Sequence, residues 1–222
     1  MPPAARQPAA MHFLITAGPT REALDPVRYL SNRSSGRMGF ALAAAAVAAG
    51  HTVTLIAGPV ALATPAGVER VDVVSAQEMF EAVESLLPAA DAAIFSAAVA
   101  DYRPAQPSTQ KIKKSAATMT LTLERTTDIL GSVRSVFGWR GYLVGFAAET
   151  EDLIGHARGK LERKGCDLLV ANDVSQPGIG FDAAENAVTL LSRDGSVREL
   201  PRMSKDELAG LLIGQIAAAV SE

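Results

Sequence analysis

Short apolar runs alternate along the chain with longer segments in which apolar residues recur every three or four positions. The runs Phe13 to Ala17 and Thr52 to Ala57 are each followed directly by a Gly-Pro pair. Apolar runs of this length, bounded by glycine and proline, are typical of buried strands. Between them, Met38 to Ala49 predicts a helix that ends at Gly50. The pattern therefore opens as strand, helix and strand.

The same alternation continues to the end of the chain. Two Ser-x-x-Glu capping boxes, at Ser75–Glu78 and Ser204–Glu207, predict helices that run to about Leu87 and Val220. Strict alternation of threonine with apolar residues predicts a half-exposed strand at Thr118 to Glu124. The other predicted helices are Ile129 to Val136 and Glu151 to Lys164, and the other predicted strands are Val71 to Val74, Asp91 to Ala97, Tyr142 to Ala147, Leu168 to Ala171, Val188 to Leu191 and Val197 to Leu200.

Alternating strands and helices predict an α/β fold, a single Rossmann-like three-layer domain with a mainly parallel sheet and helices on both faces. The Pro- and Ala-rich residues 1–10 are expected to form a disordered tail, and residues 11–222 one domain. Ligands of such sheets bind beyond the carboxyl ends of the strands. That rule selects the segments 18–37, 97–114, 146–151 and 172–182, which are rich in Gly, Pro, Asn, Asp or Lys.

Composition and charge narrow the class of function. Hydrophobic residues make up 48% of the 222 residues, and the formal net charge is −3. With only 5% aromatic residues and no basic run between them, a nucleic-acid groove is not expected. No apolar stretch is long enough to span a membrane, and a single cysteine, Cys166, favours a reducing compartment, so we expect a cytoplasmic protein. The three histidines, His12, His51 and His156, lack the spacing of zinc ligands.

The loop Ser31 to Gly36, just before the first predicted helix, is a candidate anion site. Hydroxyl groups and a glycine at a helix N-terminus offer donors and free amides to a phosphate, although an ordinary helix cap would have the same composition. The loop is not a Gly-x-Gly-x-x-Gly motif, because its glycines are Gly36 and Gly39 only, and no acidic residue follows about 20 positions later. A nicotinamide dinucleotide is therefore disfavoured. The chain also has no Walker A motif.

Other candidate groups lie at the predicted strand ends and on one helix. The run Lys111-Ile112-Lys113-Lys114 could reach a polyphosphate from a loop, and His156, Lys160 and Lys164 recur every four residues on one helix face. Each could equally be a solvated charged surface. Asp101 follows a strand and could bind a ribose or help to hold Mg²⁺, and Phe146 could pack on a base or in the core.

Taken together, these segments resemble phosphopantothenate–cysteine ligase, the C-terminal half of the bacterial bifunctional coenzyme A biosynthesis protein. The resemblance covers the chain from about Met11 to the C-terminus, and its motifs come in the family's order. The matching motifs are Ile15-Thr16-Ala17-Gly18-Pro19-Thr20-Arg21-Glu22, Asp25 to Gly36, Ala97-Ala98-Val99-Ala100-Asp101-Tyr102, Lys111-Ile112-Lys113-Lys114, Val144 to Thr150 and Ala171-Asn172-Asp173-Val174.

The resemblance implies a two-step reaction in which the carboxylate of 4′-phosphopantothenate attacks the α-phosphorus of CTP, and cysteine then displaces CMP. It also implies Mg²⁺ and a homodimer, to whose interface the strand 118–124 would contribute. Asn32, Lys111 and Arg28 are the implied catalytic residues. Phosphopantothenate or the acyl-cytidylate is expected at Gly18, Asn32, Ser34, Ser35 and Gly36, and CTP at Phe95, Ser96, Ala97, Asp101, Lys111, Thr127, Asp128, Ile129, Leu130, Phe146, Lys160 and Lys164.

The sequence departs from the family's pattern at Thr126-Thr127, where the family usually has Asn-Pro. The decarboxylase half is not represented, so we expect a monofunctional ligase or the ligase half of a longer chain. Three rival functions stay open: a nicotinamide-dependent reductase, a nucleotide-binding regulator without catalysis, and an ATP-using ligase. The regulator would release no pyrophosphate, and the bacterial-type motifs favour CTP over ATP.

Overall fold

A computed structural model describes residues 10–114, 117–149, 152–173 and 185–221. Residues 1–9 of the predicted tail lie outside these ranges, as does most of the segment 172–182. Eight strands form one sheet: β1 (His12–Ala17), β4 (Thr52–Ala57), β5 (Val68–Asp72), β6 (Ala92–Phe95), β9 (Tyr142–Glu149), β10 (Leu168–Asp173), β11 (Glu185–Ser192) and β12 (Val197–Ser204). Two small hairpins stand apart from it: β2 (Arg21–Ala23) with β3 (Tyr29–Ser31), and β7 (Tyr102–Pro104) with β8 (Leu123–Arg125).

The large sheet has the strand order β12-β11-β10-β9-β6-β1-β4-β5. Pairing is parallel from β5 to β10, and β11 and β12 add an antiparallel hairpin at one edge. The central strands are apolar on both faces, as a parallel sheet covered by helices requires.

Five α-helices of the described residues cover the sheet: α1 (Arg37–Ala48), α2 (Ala76–Leu86), α3 (Ile129–Ser135), α4 (Leu153–Lys164) and α5 (Lys205–Ser221). Apolar residues of α1 and α5 belong to one buried cluster, and those of α2, α3 and α4 belong to the other. The predicted fold class, a mainly parallel sheet with helices on both faces, is confirmed. Within the described residues, no helix is both long and apolar enough to cross a bilayer.

Both predicted capping boxes are present. Ser75 Oγ accepts from the Glu78 amide at 3.2 Å, and Ser204 Oγ accepts from the Glu207 amide at the same distance. The carboxylates of Glu78 and Glu207 in turn accept from backbone amides at the helix starts. These contacts satisfy amides that have no partner inside the helix.

The predicted strand at Thr118 to Glu124 is wrong over most of its length. Only Leu123–Arg125 is a strand, and it pairs with the three-residue β7. Every residue from 117 to 125 is exposed, so the alternation of threonine and apolar residues does not reflect a buried face. A strand needs a partner along its length, and β7 supplies one for three residues only. The β2–β3 hairpin was not predicted, because each of its strands has three residues and no clear periodicity.

Candidate active site

The loops after β1 and β6 are hydrogen-bonded side by side beyond the carboxyl edge of the sheet. The Ala98 amide donates to the Gly18 carbonyl at 2.9 Å, and the Ala100 amide donates to Thr20 Oγ1 at 3.0 Å. Asn32 joins the two loops, because its Nδ2 donates to the carbonyl oxygens of Ala98 and Val99 at 3.1 and 3.0 Å. With Nδ2 engaged in this way, Oδ1 is the atom of the Asn32 carboxamide left to accept hydrogen bonds from a ligand.

A cavity of about 1050 Å³ opens at this edge. It contains fifteen of the residues for which the sequence and the resemblance predicted a binding or catalytic role: Asn32, Ser34, Ser35, Gly36, Phe95, Ser96, Ala97, Asp101, Thr127, Asp128, Ile129, Leu130, Phe146, Lys160 and Lys164. Side chains from five different segments therefore meet, as the rule for ligand sites in parallel sheets predicts. Three other predicted residues, Gly18, Arg28 and Lys111, do not line the cavity.

One side of the cavity is formed by the start of α1. Gly36 precedes the helix with φ 78°, and no side chain caps the helix N-terminus. Its first amides and the positive end of its dipole are therefore available to an anion. Gly39, one turn in, lies so close to β1 that a Cβ atom would come within 2.4 Å of Ala17 Cβ. This close packing fixes the helix start against the end of β1.

The other side of the cavity carries lysines of α4. Lys160 Nζ donates to the Phe146 carbonyl at 2.7 Å, and Lys164 forms an ion pair with Asp128, which also caps α3 by accepting from the Gly131 amide at 3.0 Å. Burial acts to raise the pKa of Asp128, but the hydrogen bond from Lys164, the Gly131 amide and the two lysine charges together lower it. Asp128 is therefore ionised at neutral pH.

The cavity is strongly basic although the chain carries a net negative charge. Among the described residues that line it, seven are cationic and two, Asp101 and Asp128, are acidic. Five of the cations were not assigned a role from the sequence, because no local pattern shows that their side chains meet at this cavity. The cations are Arg33, Arg37, Arg125, Lys160, Arg163, Lys164 and Lys205.

Two asparagines, one buried and one half-buried, also line the cavity and were not assigned a role from the sequence. Asn172 is the second-last residue of β10 and belongs to the motif Ala171-Asn172-Asp173-Val174. Asn186 lies on β11 with 5% of its surface exposed. The Oδ1 atoms of both side chains are buried and accept no hydrogen bond within the part of the chain that the structure describes. Asn186 Nδ2 lies 3.8 Å from Met38 Sδ, so Asn186 lies on the side of the cavity formed by α1.

The three predicted residues outside the cavity lie on the loops after β1, between β2 and β3, and after β7. The loop at Gly18 adjoins Gly36, where a Cβ atom would lie 3.4 Å from the Gly18 amide nitrogen. Arg28 is held in the β2–β3 turn by Asp25, and Lys111 is exposed on the loop that follows β7. Cys166 is fully buried, and burial raises the pKa of its thiol to about 12.

The fold and the basic cavity define a Rossmann-like α/β domain that is built to bind anions at the carboxyl edge of its sheet. The chain belongs to the family of DNA/pantothenate metabolism flavoprotein C-terminal domains, whose model matches residues 9–220. This confirms the resemblance found in the sequence.

Relatives described as coenzyme A biosynthesis bifunctional proteins are similar over nearly the whole chain. The protein of Vibrio vulnificus (strain YJ016) is 52% identical over 206 residues, which cover 92% of this chain and 51% of the relative. That of Escherichia coli (strain K12) is 48% identical over 215 residues, 96% of this chain and 53% of the relative. The chain thus spans about half the length of these relatives.

The solved structure of the C-terminal domain of a coenzyme A biosynthesis bifunctional protein is similar to this fold. It superposes with a TM-score of 0.82 at 40% sequence identity, and the match covers 97% of this chain and 98% of that domain.

Proposed function

We propose that this domain joins 4′-phosphopantothenate to cysteine in coenzyme A biosynthesis, using CTP to activate the carboxylate as an acyl-cytidylate. The family membership and the names of the relatives support a role in coenzyme A biosynthesis. The observation that carries the proposal is the basic cavity, because both phosphate-bearing substrates must be brought together there. A reductase is disfavoured, because β4 ends at Ala57 without the ribose-binding carboxylate of a dinucleotide site.

The cavity has two anion-binding sides, on opposite faces of the sheet. The uncapped start of α1 lies on one face, and Lys160 and Lys164 of α4 lie on the other. We assign the 4′-phosphate to the α1 side, where Ser34, Ser35 and Gly36 lie, and the triphosphate of CTP to the α4 side. The carboxylate of phosphopantothenate then meets the α-phosphate between them, over Ser96 to Ala98.

In the first step, a carboxylate oxygen attacks the α-phosphorus and the bond from that phosphorus to the β-phosphate bridging oxygen breaks. Pyrophosphate leaves with the electron pair, and the acyl-cytidylate forms. Three anionic groups approach one another in this step, so positioning and charge neutralisation supply most of the catalysis. Lys160 and Lys164 hold the leaving pyrophosphate, and Lys111, whose exposed side chain lies on the loop beside the β2–β3 turn, acts on the α-phosphate. Asp101 accepts from a ribose hydroxyl.

In the second step, the amine of cysteine attacks the acyl carbon, loses a proton, and expels CMP to form the amide. Asn32 fits this step because its Nδ2 is bound to the backbone at Ala98 and Val99, which leaves Oδ1 to accept from an incoming N–H group. This contact aligns the nitrogen lone pair with the acyl carbon.

The donor set of the cavity fits Mg²⁺ held mainly by the triphosphate. Mg²⁺ keeps several waters and phosphate oxygens and needs only one or two carboxylates from the protein. No group of three or more potential metal ligands occurs in the described ranges, and the Asp128 carboxylate is already paired. With Asp101 assigned to the ribose, phosphate oxygens and waters would supply most of the ligands, and the ion would neutralise charge on the phosphate oxygens.

We also propose that the protein is a homodimer. Apolar side chains project from the exposed segment after residue 117, with Met119, Leu121 and Leu123 exposed to 53%, 36% and 42%. Contiguous exposed apolar residues of this kind are typical of interaction surfaces. A second copy of the chain is the partner that the family resemblance favours.

The reaction is tested by following pyrophosphate, CMP and amide product while each substrate is omitted in turn. Pyrophosphate should form in a single turnover from CTP and phosphopantothenate without cysteine, and CMP should appear only when cysteine is added. ATP in place of CTP should react more slowly. Absence of pyrophosphate with all three substrates present would reject the proposed activity and leave a binding protein.

A further inference from the structure

The β2–β3 turn contains a buried carboxylate in an otherwise exposed loop. Asp25 is 4% exposed and its side chain is completely covered, whereas Val27 is 60% exposed and Arg28 is also exposed. A buried carboxylate is stabilised only when its oxygens are hydrogen-bonded or paired. The partners of Asp25 therefore indicate what this residue holds in position.

Part of the hydrogen bonding of Asp25 stays within the turn. Oδ1 accepts from the amides of Val27 and Arg28, each at 2.9 Å. Oδ2 accepts from Nε and Nη2 of Arg28 at 3.1 and 2.5 Å, which makes a two-pronged ion pair. The Arg28 guanidinium holds the pKa of Asp25 well below its usual range, with smaller contributions from three backbone amides. The pair is therefore charged at any pH at which the protein works.

The remaining contacts reach a residue 87 positions away. Asp25 Oδ2 accepts from the Ile112 amide at 3.1 Å, and Arg28 Nη2 donates to the Ile112 carbonyl at 2.9 Å. The ion pair thus binds both backbone polar groups of Ile112. The only other hydrogen bond that ties the described residues 106–114 to another part of the chain joins the Ser108 amide to the Leu24 carbonyl, in the same turn.

Ile112 lies between Lys111 and Lys113, which are both exposed. No hydrogen bond or ion pair of the Lys111 ammonium occurs within the described parts of the chain, so the backbone contacts at Ile112 and Ser108 determine the position of the Lys111 backbone. Consecutive Cα atoms are 3.8 Å apart, and a shift of Ile112 moves Lys111 by nearly the same amount.

We propose that Asp25 and Arg28 are positioning residues that clamp the Ile112 peptide and thereby direct Lys111 towards the α-phosphate. This inference rests on the proposed function for its catalytic part. Asp25 thereby receives a role. Arg28 acts indirectly, through the loop that carries Lys111, which is consistent with its position outside the cavity.

The clamp itself is tested without substrates by limited trypsin digestion. Asp25→Asn removes the charge that holds Arg28 and weakens the acceptor for the Ile112 amide. Cleavage after Lys111, Lys113 or Lys114 should become at least several times faster than in the unmodified protein. Asp72→Asn is the matched control, because it removes an ion pair with Arg70 at 2.7 Å that lies outside the cavity. Unchanged cleavage rates in folded Asp25→Asn would overturn the clamp.

The positioning role is tested by pyrophosphate release and by CTP affinity. A misplacement of about 1 Å at a reacting centre costs about 10²-fold in rate, so Asp25→Asn should lower the first step by about 10²-fold and leave the Kd of CTP nearly unchanged. Combined with Lys111→Ala, it should cause no further loss, because both changes remove the same interaction. Additive losses in the double variant would overturn the positioning role.

Arg28→Lys provides a second test if Asp25→Asn does not fold. A lysine keeps the charge but lacks the fork that binds Asp25 and Ile112 together, so a partial loss of the first step is expected. Normal pyrophosphate release by Lys111→Ala would instead refute the role proposed for Lys111 and, with it, the catalytic part of the inference. The digestion would then still decide whether the clamp exists.

Discussion

Asn32 holds two loops together and is the residue proposed to act in the second step. Its Nδ2 donates to the carbonyl oxygens of Ala98 and Val99, which leaves Oδ1 to accept from the amine in that proposal. Asn32→Ala should therefore still release pyrophosphate from CTP and phosphopantothenate, but the acyl-cytidylate should accumulate, with amide formation slowed about 10²–10³-fold. Rapid quenching with mass spectrometry measures both half-reactions. Equal slowing of the two would contradict a role in the second step.

Gly39 sets the distance between α1 and β1, and with it the location of the anion site. A Cβ atom there would come within 2.4 Å of Ala17 Cβ and 2.7 Å of Ser96 Oγ, so Gly39→Ala should destabilise the fold by about 1–3 kcal/mol and weaken phosphopantothenate binding. Denaturant unfolding measures the first effect and titration calorimetry the second.

Gly210, also inside a helix, is the matched control for Gly39. No heavy atom lies within 4 Å of its added Cβ, so Gly210→Ala should raise stability by up to about 1 kcal/mol. If both alanine variants were equally stable, contact between α1 and β1 would not explain the glycine at 39.

At the scale of elements, Asp128 links the cap of α3 to a lysine of α4. Asparagine at this position would keep the cap to Gly131 but lose the ion pair with Lys164. Because folding lowers the pKa of Asp128, its stabilisation is complete well above 3.8, the usual pKa, and is lost as the pH falls through the lower folded value.

The unfolding free energy of the unmodified protein should therefore exceed that of Asp128→Asn at pH 5–7, and the two should converge below about pH 4. Chemical denaturation across this range measures the difference. A difference that stays constant down to pH 3 would mean that the carboxylate charge contributes nothing to the pairing of these two helices.

Elements with a strong local signal were predictable from the sequence, and the short ones were not. Each capping box marks its helix start through two side chains that bind nearby amides, so a serine and a glutamate three positions apart carry the information. The segment Thr118 to Glu124 has the pattern of a strand, but its pairing depends on β7, a three-residue partner that no local pattern marks. Thr126, which replaces the family's usual asparagine, bonds through Oγ1 to the Ala100 carbonyl at 2.5 Å and holds this hairpin.

At the scale of the whole molecule, the carboxyl-edge rule predicts from the sequence that separate loops meet at one site. It gathered Asn32, Asp101, Phe146 and their neighbours because parallel strands end at a common edge. It could not find Asn186 or Lys205, which enter from the antiparallel β11 and from the start of α5. It also could not locate the loop that carries Lys111, since the position of that loop depends on the contacts of Asp25 and Arg28 with Ile112, 87 residues after Asp25.

The exposed apolar side chains of Met119, Leu121 and Leu123 are expected to form the dimer interface. Leu121→Glu should convert a dimer into monomers, because a buried unpaired carboxylate opposes association, whereas Val136→Glu should leave the dimer intact. Val136 is a suitable control because it is also apolar and 64% exposed, and it lies at the end of α3. Sedimentation velocity at micromolar concentration gives the mass of the unmodified protein and of each variant. A monomeric unmodified protein would contradict the proposed dimer.

The central claim is that a carboxylate oxygen of phosphopantothenate attacks the α-phosphorus of CTP within this cavity. It is tested most directly with phosphopantothenate labelled with ¹⁸O in its carboxylate, followed by mass spectrometry of the nucleotide product. The account predicts one ¹⁸O atom in each CMP and none in pyrophosphate. Label in inorganic phosphate, with CDP as the nucleotide product, would instead show attack on the terminal phosphate and contradict the acyl-cytidylate.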